Sequence, residues 1–241
     1  MPAGYDRPVG GTGELSGHTS AELDGTWPLL LVPVGSTEQH GPHLPLDTDT
    51  RIATAVARDV AAALDCVVAP PIAYGASGEH RGFAGTVSIG TAALTTVLVE
   101  YGRSACDWAG RLVFVNGHGG NLDALRVAVD RLRAEGRDVV WCPCAAEGAD
   151  AHAGHTETSV LLHLSPTDVR TERWRAGNVE PLAELMPMLR SGGVAAVSEI
   201  GVLGDPTTAT GEDGARIFAA MAAQCRERIR RWAPTGDGML T

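Results

Sequence analysis

Leu112-Val-Phe-Val115, running directly into Asn116-Gly-His-Gly-Gly-Asn121 and then Leu122-Asp-Ala-Leu-Arg-Val-Ala-Val-Asp-Arg-Leu132, is the stretch that decides the fold. Four consecutive apolar residues without polar alternation read as a strand buried on both faces, the pattern of a parallel sheet. After a glycine-rich turn, Leu122, Leu125, Val129 and Leu132 fall on one face of a helix. The same unit occurs upstream, where Leu29-Leu-Leu-Val-Pro-Val34 precedes a helical stripe of Ile52, Val56 and Val60 within Thr50 to Leu64. Cys66-Val-Val-Ala69, closed by Pro70-Pro71, and Val139-Val-Trp141 read as two further strands, and Thr91 to Ala109 as a helix. Helices are also predicted near His155–Leu164 and Glu180–Arg190 and from Gly211 to Trp232. Strand–helix alternation of this kind specifies an α/β fold: a three-layer α/β/α sandwich with a mostly parallel central sheet.

Composition narrows the function classes. The 241 residues carry 19 basic against 29 acidic side chains, a formal net charge of −10, and no basic run, which argues against nucleic acid as a partner. The longest apolar run, Leu29–Val34, is far too short to cross a bilayer, so no membrane partner is expected. The first 28 residues are rich in Gly, Pro, Thr and Ser and hold no apolar segment of the secretory kind. They read as a flexible N-terminal arm (1–28), ahead of a single domain over 29–241. Five cysteines, with Cys142-Pro-Cys144 in place of a CxxC pair, fit small reduced thiols of a cytoplasmic protein better than a cysteine zinc site.

Open α/β sheets bind ligands outside the carboxyl ends of their strands. Three segments leave such ends, and all three carry metal-type ligands. They are Gly35-Ser-Thr-Glu38-Gln-His40-Gly-Pro-His43-Leu-Pro-Leu-Asp47-Thr-Asp49, then Asn116-Gly-His118-Gly-Gly-Asn121, then Asp150-Ala-His152-Ala-Gly-His155-Thr-Glu157-Thr-Ser159. Imidazoles and carboxylates in this proportion suit zinc, iron(II) or manganese, and a set this large can hold two ions. Each segment has a plainer reading. Glu38 and His40 would serve as well in a solvated turn, His152 and Glu157 at a surface helix cap, and the glycines around His118 in a phosphate cradle. That cradle lacks both the GxGxxG spacing and a P-loop lysine. His18 and His163 read as an arm residue and a helix-interior residue. Convergence on one sheet edge is what favours the metal reading.

These motifs resemble the creatininase family of amidohydrolases from Leu29 to about Trp232. Tyr74-Gly-Ala-Ser-Gly-Glu-His80, His152 to Ser165, Thr171 to Gly177 and Gly201 to Thr210 are further similar to the branch of that family that works in mycofactocin biosynthesis. The resemblance implies a creatininase-like fold and a metal-dependent peptidase acting on the modified mycofactocin precursor peptide. The expected cut lies at the glycine before the C-terminal Val–Tyr-derived unit, releasing 3-amino-5-[(4-hydroxyphenyl)methyl]-4,4-dimethylpyrrolidin-2-one. It implies two divalent ions per subunit, zinc and/or iron(II) with manganese as a third candidate. Glu38, Asp49 and His118 would hold one, and His40 with Asp49 the other, Asp49 bridging. A creatininase glutamate two residues after the equivalent of His118 is replaced here by Gly120, which makes Glu157 the natural substitute ligand. His152 matches the family's active-site histidine, as an oxyanion stabiliser or as the acid that protonates the leaving amine. Glu79, His80, Asn116, Gly119 and His155 are expected to meet the substrate. The creatinine-binding tryptophans have no counterpart, and Trp141 and Trp174 are expected to pack. Creatininase relatives form rings, so a homo-oligomer is implied.

Two other readings stand beside this one. In the first, the fold and metals are kept but the substrate is a small cyclic amide or a formamide. In the second, the chain is a non-catalytic, metal-bound scaffold in a biosynthetic complex.

Overall fold

The computed structural model describes residues 13–241. Among them, five strands form one sheet: β1 (Gly13–Glu14), β2 (Leu29–Val34), β3 (Val67–Val68), β4 (Arg111–Asn116) and β5 (Val139–Pro143), in the spatial order β1-β3-β2-β4-β5. Every pairing is parallel. The helices are α1 (Ser20–Leu23), α2 (Thr48–Ala63), α3 (Gly90–Ala105), α4 (Leu122–Ala134), α5 (His155–Leu164), α6 (Leu182–Gly192) and α7 (Gly211–Arg231).

Alternation along the strands sorts the core into two layers. Leu31, Val113, Val115, Val140 and Cys142 face Val56 and Val60 of α2, Val160 and Leu161 of α5, and Cys225 and Ile229 of α7. Leu30, Val32, Leu112, Phe114, Val139 and Trp141 face Leu94 and Leu98 of α3 and Leu125, Val129 and Leu132 of α4. Both strand faces are therefore buried, which is why the strands read as unbroken apolar runs. Each buried Val, Leu or Phe contributes about 1.5–3 kcal/mol against its exposed state. Trp141 packs as expected, at 1% exposure.

Element ends differ from the sequence reading for local reasons. The strand expected over 66–69 is two residues long, because Pro70 and Pro71 offer no N–H to continue the ladder. The helix expected to reach Ala109 ends at Ala105, beyond which Asp107 and Trp108 donate back three residues, to Ser104 and Ala105. Of the N-terminal stretch, residues 1–12 lie outside the described residues. Gly13–Glu14 pairs with Val67–Val68 at the sheet edge, and Leu15 and Leu23 pack against the α3/α4 layer.

The strand order places the site. From β2 the chain crosses through α2 to β3 on one side, and β4 then pairs with β2 on the other, Val34 opposite Asn116. The carboxyl ends of β2 and β4 thus flank the switch point at which an open sheet leaves a crevice. Helix α2 enters that crevice closely. A Cβ on Gly35 would lie 2.5 Å from Thr50 Cα, and one on Gly117 would lie 2.5 Å from Asp49 O. Glycine at both strand ends therefore lets the first turn of α2, with Asp49, sit against both loops.

His43 ties the loop after β2 to α5. It is fully buried, with Nε2 2.8 Å from Thr158 Oγ1. Burial, reinforced by the neighbouring His40 charge, pushes its imidazole from 6.5 down to about 4. Between those pH values the unfolded chain binds the proton and the folded chain does not. The contribution is thus complete above pH 6.5 and is lost as pH falls toward 4. In urea melts of chelator-treated protein, wild type is expected to lose about 2 kcal/mol more than His43→Gln between pH 7 and pH 4.5. A difference that does not change with pH would show that another group is responsible.

Candidate metal centre

The loop following β2, the loop following β4 and the segment entering α5 meet at Asp49. Its Oδ1 lies 3.1 Å from His40 Nε2 and its Oδ2 3.2 Å from His118 Nδ1, while Ser36 Oγ donates to Oδ2 at 2.6 Å. His118 Nε2 is 3.2 Å from Glu38 Oε2, and His40 Nε2 is 3.8 Å from Glu157 Oε2. The five residues expected as ligands, Glu38, His40, Asp49, His118 and Glu157, are thereby brought together. Glu38 and His40 are completely buried beneath the cavity floor. His152 shares one compact donor group with His40 and Glu157 and another with Glu38 and His80, and Glu38, His40 and Asp49 form a third.

Two observations fit this set to a cation. Both carboxylate oxygens of Glu38 are buried and lack any hydrogen-bond partner, although His80 Nε2 and His118 Nε2 each stand 3.2 Å away. An ionised carboxylate left in that condition is costly unless a positive charge faces it. In addition, His40 donates Nδ1–H to the Glu38 main-chain oxygen at 3.2 Å, which leaves Nε2 aimed at Asp49 and Glu157 as a ligand nitrogen would be.

The electrostatics agree. Burial by itself would lower the His40 imidazole, but Asp49, Glu157 and Glu38 outweigh it and hold it up at about 10. His118 is likewise held well above its ordinary value, burial being overcome by Glu38, Asp49 and Glu79. Asp49 is drawn well below the usual carboxylate range, because His40 and His118 overcome its burial. The carboxylates thus demand positive charge at the centre. His152 is the exception: burial, with His40 and His80 beside it, pushes it well below 6.5 and keeps it neutral. It donates Nε2–H to the Gln39 main-chain oxygen at 2.8 Å, so the Nδ1 lone pair faces the cluster, 3.9 Å from Glu38 Oε1.

Polar side chains that sequence reasoning did not assign fix the loops. Asn121 Nδ2 donates to Gly35 O and to Asn116 Oδ1, and its Oδ1 accepts from Ala76 N, tying three loops together. Gln39 Nε2 donates to His80 Nδ1 at 2.9 Å and to Gly201 O at 3.0 Å. Gln39 stands between two ligand positions, and an amide there in an extended segment was the available signal.

Above the floor opens a cavity of ≈ 860 Å³. Glu79, His80, His118, Gly119, His152 and Glu157 line one side, and Leu182, Met186 and Leu189 of α6 the other. Two residues expected at the substrate are elsewhere. Asn116 lies under the loop, donating Nδ2–H to His118 O at 2.7 Å, and shapes the backbone instead of facing the cavity. His155 points away, with Nδ1 2.9 Å from Thr208 Oγ1 and Nε2 3.9 Å from Asp213. Residues two apart in a helix lie about 200° around its axis, so α5 cannot present both His155 and Glu157 to one site.

The family profile described as Creatinine amidohydrolase matches residues 14–229. The chain belongs to the creatininase family. Within the reach of this family, the chain is similar to the mycofactocin precursor peptide peptidase of Mycobacterium tuberculosis (strain CDC 1551 / Oshkosh), 66% identical over 100% of both chains. It is also similar to a solved creatininase variant of the Zn-Zn type, with a TM-score of 0.75 and 27% identity over 92% of this chain and 98% of the other. A third similarity is to a manganese creatininase, with a TM-score of 0.74 and 26% identity over 92% and 99%. Creatininase-family sites are metal-dependent, and the donor set here matches that chemistry. Among the described residues no helix is long and apolar enough to cross a membrane.

Removing divalent metal with a chelator is expected to lower the unfolding temperature. A ligand at about 100 times its Kd stabilises by about 2.7 kcal/mol, which for a chain of this size is about 5–10 °C. His118→Ala is expected to abolish most of that difference. Equal unfolding temperatures with and without chelator in wild type would show that the cluster holds no cation.

Proposed function

We propose that this chain is a dinuclear metal-dependent amide hydrolase, a cytoplasmic homo-oligomeric peptidase of the modified mycofactocin precursor peptide. The observation that carries this reading is the buried, unpartnered Glu38 carboxylate beneath a large cavity, in a chain with two-thirds identity over its full length to a peptidase of that name. Glu38, Asp49 and His118 would hold one divalent ion, and His40, Asp49 and Glu157 the second. Zinc and/or iron(II), or manganese, suits this mixture of imidazole and carboxylate.

Bound there, divalent ions lower the pKa of a water ligand and polarise the scissile carbonyl. The protein's own part is positioning and proton transfer. His152, neutral and with Nδ1 free, accepts a proton at that atom as water attacks, and returns it to the leaving amine. The Gln39 carbonyl keeps the ring in the tautomer this requires. Leu182, Met186 and Leu189 give the cavity an apolar wall suited to the aromatic, dimethylated end of the substrate. A cavity of ≈ 860 Å³ is larger than a small cyclic amide or a formamide needs, which favours a peptide. A non-catalytic, metal-bound scaffold has no need of a donor set that opens onto a cavity of this size. The cut falls after the glycine and frees 3-amino-5-[(4-hydroxyphenyl)methyl]-4,4-dimethylpyrrolidin-2-one.

Incubating the metal-loaded chain with the modified precursor peptide is expected to yield this pyrrolidinone and the shortened peptide by mass spectrometry. An unchanged peptide in the presence of protein carrying two ions would overturn the assignment. His152→Asn is expected to lower turnover by about 10²–10⁴-fold while the protein keeps its metal.

A further inference from the structure

A further carboxylate reaches the cluster from outside the three ligand-bearing segments. Glu79 sits in the 3-10 turn Gly78–His80, and its Oε1 lies 3.4 Å from His118 Nε2. The same nitrogen is 3.2 Å from Glu38 Oε2, so two carboxylates from distant parts of the chain converge on one imidazole nitrogen. One of them, Glu38, is wholly buried and without a hydrogen-bond partner.

Gly120 explains how Glu79 gets there. A Cβ at position 120 would lie 2.5 Å from Glu79 Oε1 and would also collide with His118 Nε2 and Ala76 O. Gly120 has no positive φ to account for a glycine, so its role here is to leave space. The backbone carrying Glu79 is held from several sides. Ala76 N donates to Asn121 Oδ1, Ser77 N donates to Ser88 Oγ, and Gly193 packs so closely that a Cβ there would lie 2.5 Å from Glu79 O. A carboxylate presented by a pinned turn, on the nitrogen of a ligand histidine and in room kept clear for it, has the attributes of a ligand.

We propose that Glu79 is a further ligand of the ion held by Glu38, Asp49 and His118, delivered by the 75–86 loop into the space left by Gly120. This rests on the metal-centre reading above. A third carboxylate there makes that half of the centre more anionic than the half around His40. It also couples the loop at the cavity mouth to metal loading.

The test is metal binding, measured on full-length wild type and Glu79→Gln. Each is loaded with zinc, analysed for metal content and titrated against a chromophoric chelator. Wild type is expected to hold two ions. In Glu79→Gln one of them should weaken by more than about 100-fold, since loss of an outer hydrogen-bond partner alone costs about 10–100-fold. Glu79→Gln that keeps both ions within that outer-partner range, with only KM for the peptide raised, would make Glu79 a substrate contact and overturn the proposal. A wild type that binds no zinc would bring down the metal centre itself, a result distinguishable from failure of the Glu79 assignment alone.

Discussion

Asp49 must touch His40 through one oxygen and His118 through the other, and much of the structure serves that double contact. The two histidines come from loops at the ends of neighbouring parallel strands, and Asp49 belongs to a helix that starts between them. A side chain at Gly35 or Gly117 would hold that helix away from the strand ends and open the contact. The β2–β4 register, with Val34 opposite Asn116, sets the two loops level. The hydrophobic layers on the two sheet faces are the reason this register is fixed, since a one-residue slip would turn every buried side chain to the opposite face.

Charge is the second constraint. Glu38 and Asp49 lie in a nearly dry floor, and without a cation their neighbourhood draws positive charge onto His40 and His118. His152 differs because burial and its neighbouring imidazoles favour the neutral ring, and they outweigh Asp49 and the hydrogen bond to Gln39 O. One cluster therefore separates two histidines held protonated by carboxylates from a third held neutral, by environment alone. The formal charge of −10 is accordingly an overstatement for any metal-loaded form.

The fold was legible because both sheet faces are covered: Leu29–Val34 and Leu112–Val115 show unbroken apolar runs, and the helical stripes behind them keep a 3.6-residue period. β1 left no such trace, since a two-residue edge strand, Gly13–Glu14, buries too little to need apolar residues. The gathering of Glu38, His40, Asp49, His118 and Glu157 was legible from their place after strand ends. His155 was misplaced because nearness in sequence to His152 says nothing about direction once a helix begins. Asn116 was misplaced because a polar residue at a strand end can serve the backbone as readily as a ligand. The position of Glu79 against His118 depends on a fold-back of the 75–86 loop, which no local pattern encodes.

Floor and wall differ in how they are held. The floor is crossed by Asn121 and Gln39, each bonded to more than one segment, and it stands on the central strands. The wall is α6, which buries only Leu185, carries Pro187 within it and leaves Leu182 and Met188 about half exposed. Segments with few buried contacts open at a smaller free-energy cost than the core does. A fold arranged this way can keep its metal chemistry constant while the surface that meets the substrate changes length, shape and polarity. That is a physical reason for one family to include a creatinine amidohydrolase and a precursor-peptide peptidase: the metal-type donors stand on strand ends held by the core, and the wall that faces them is a helix with little buried surface.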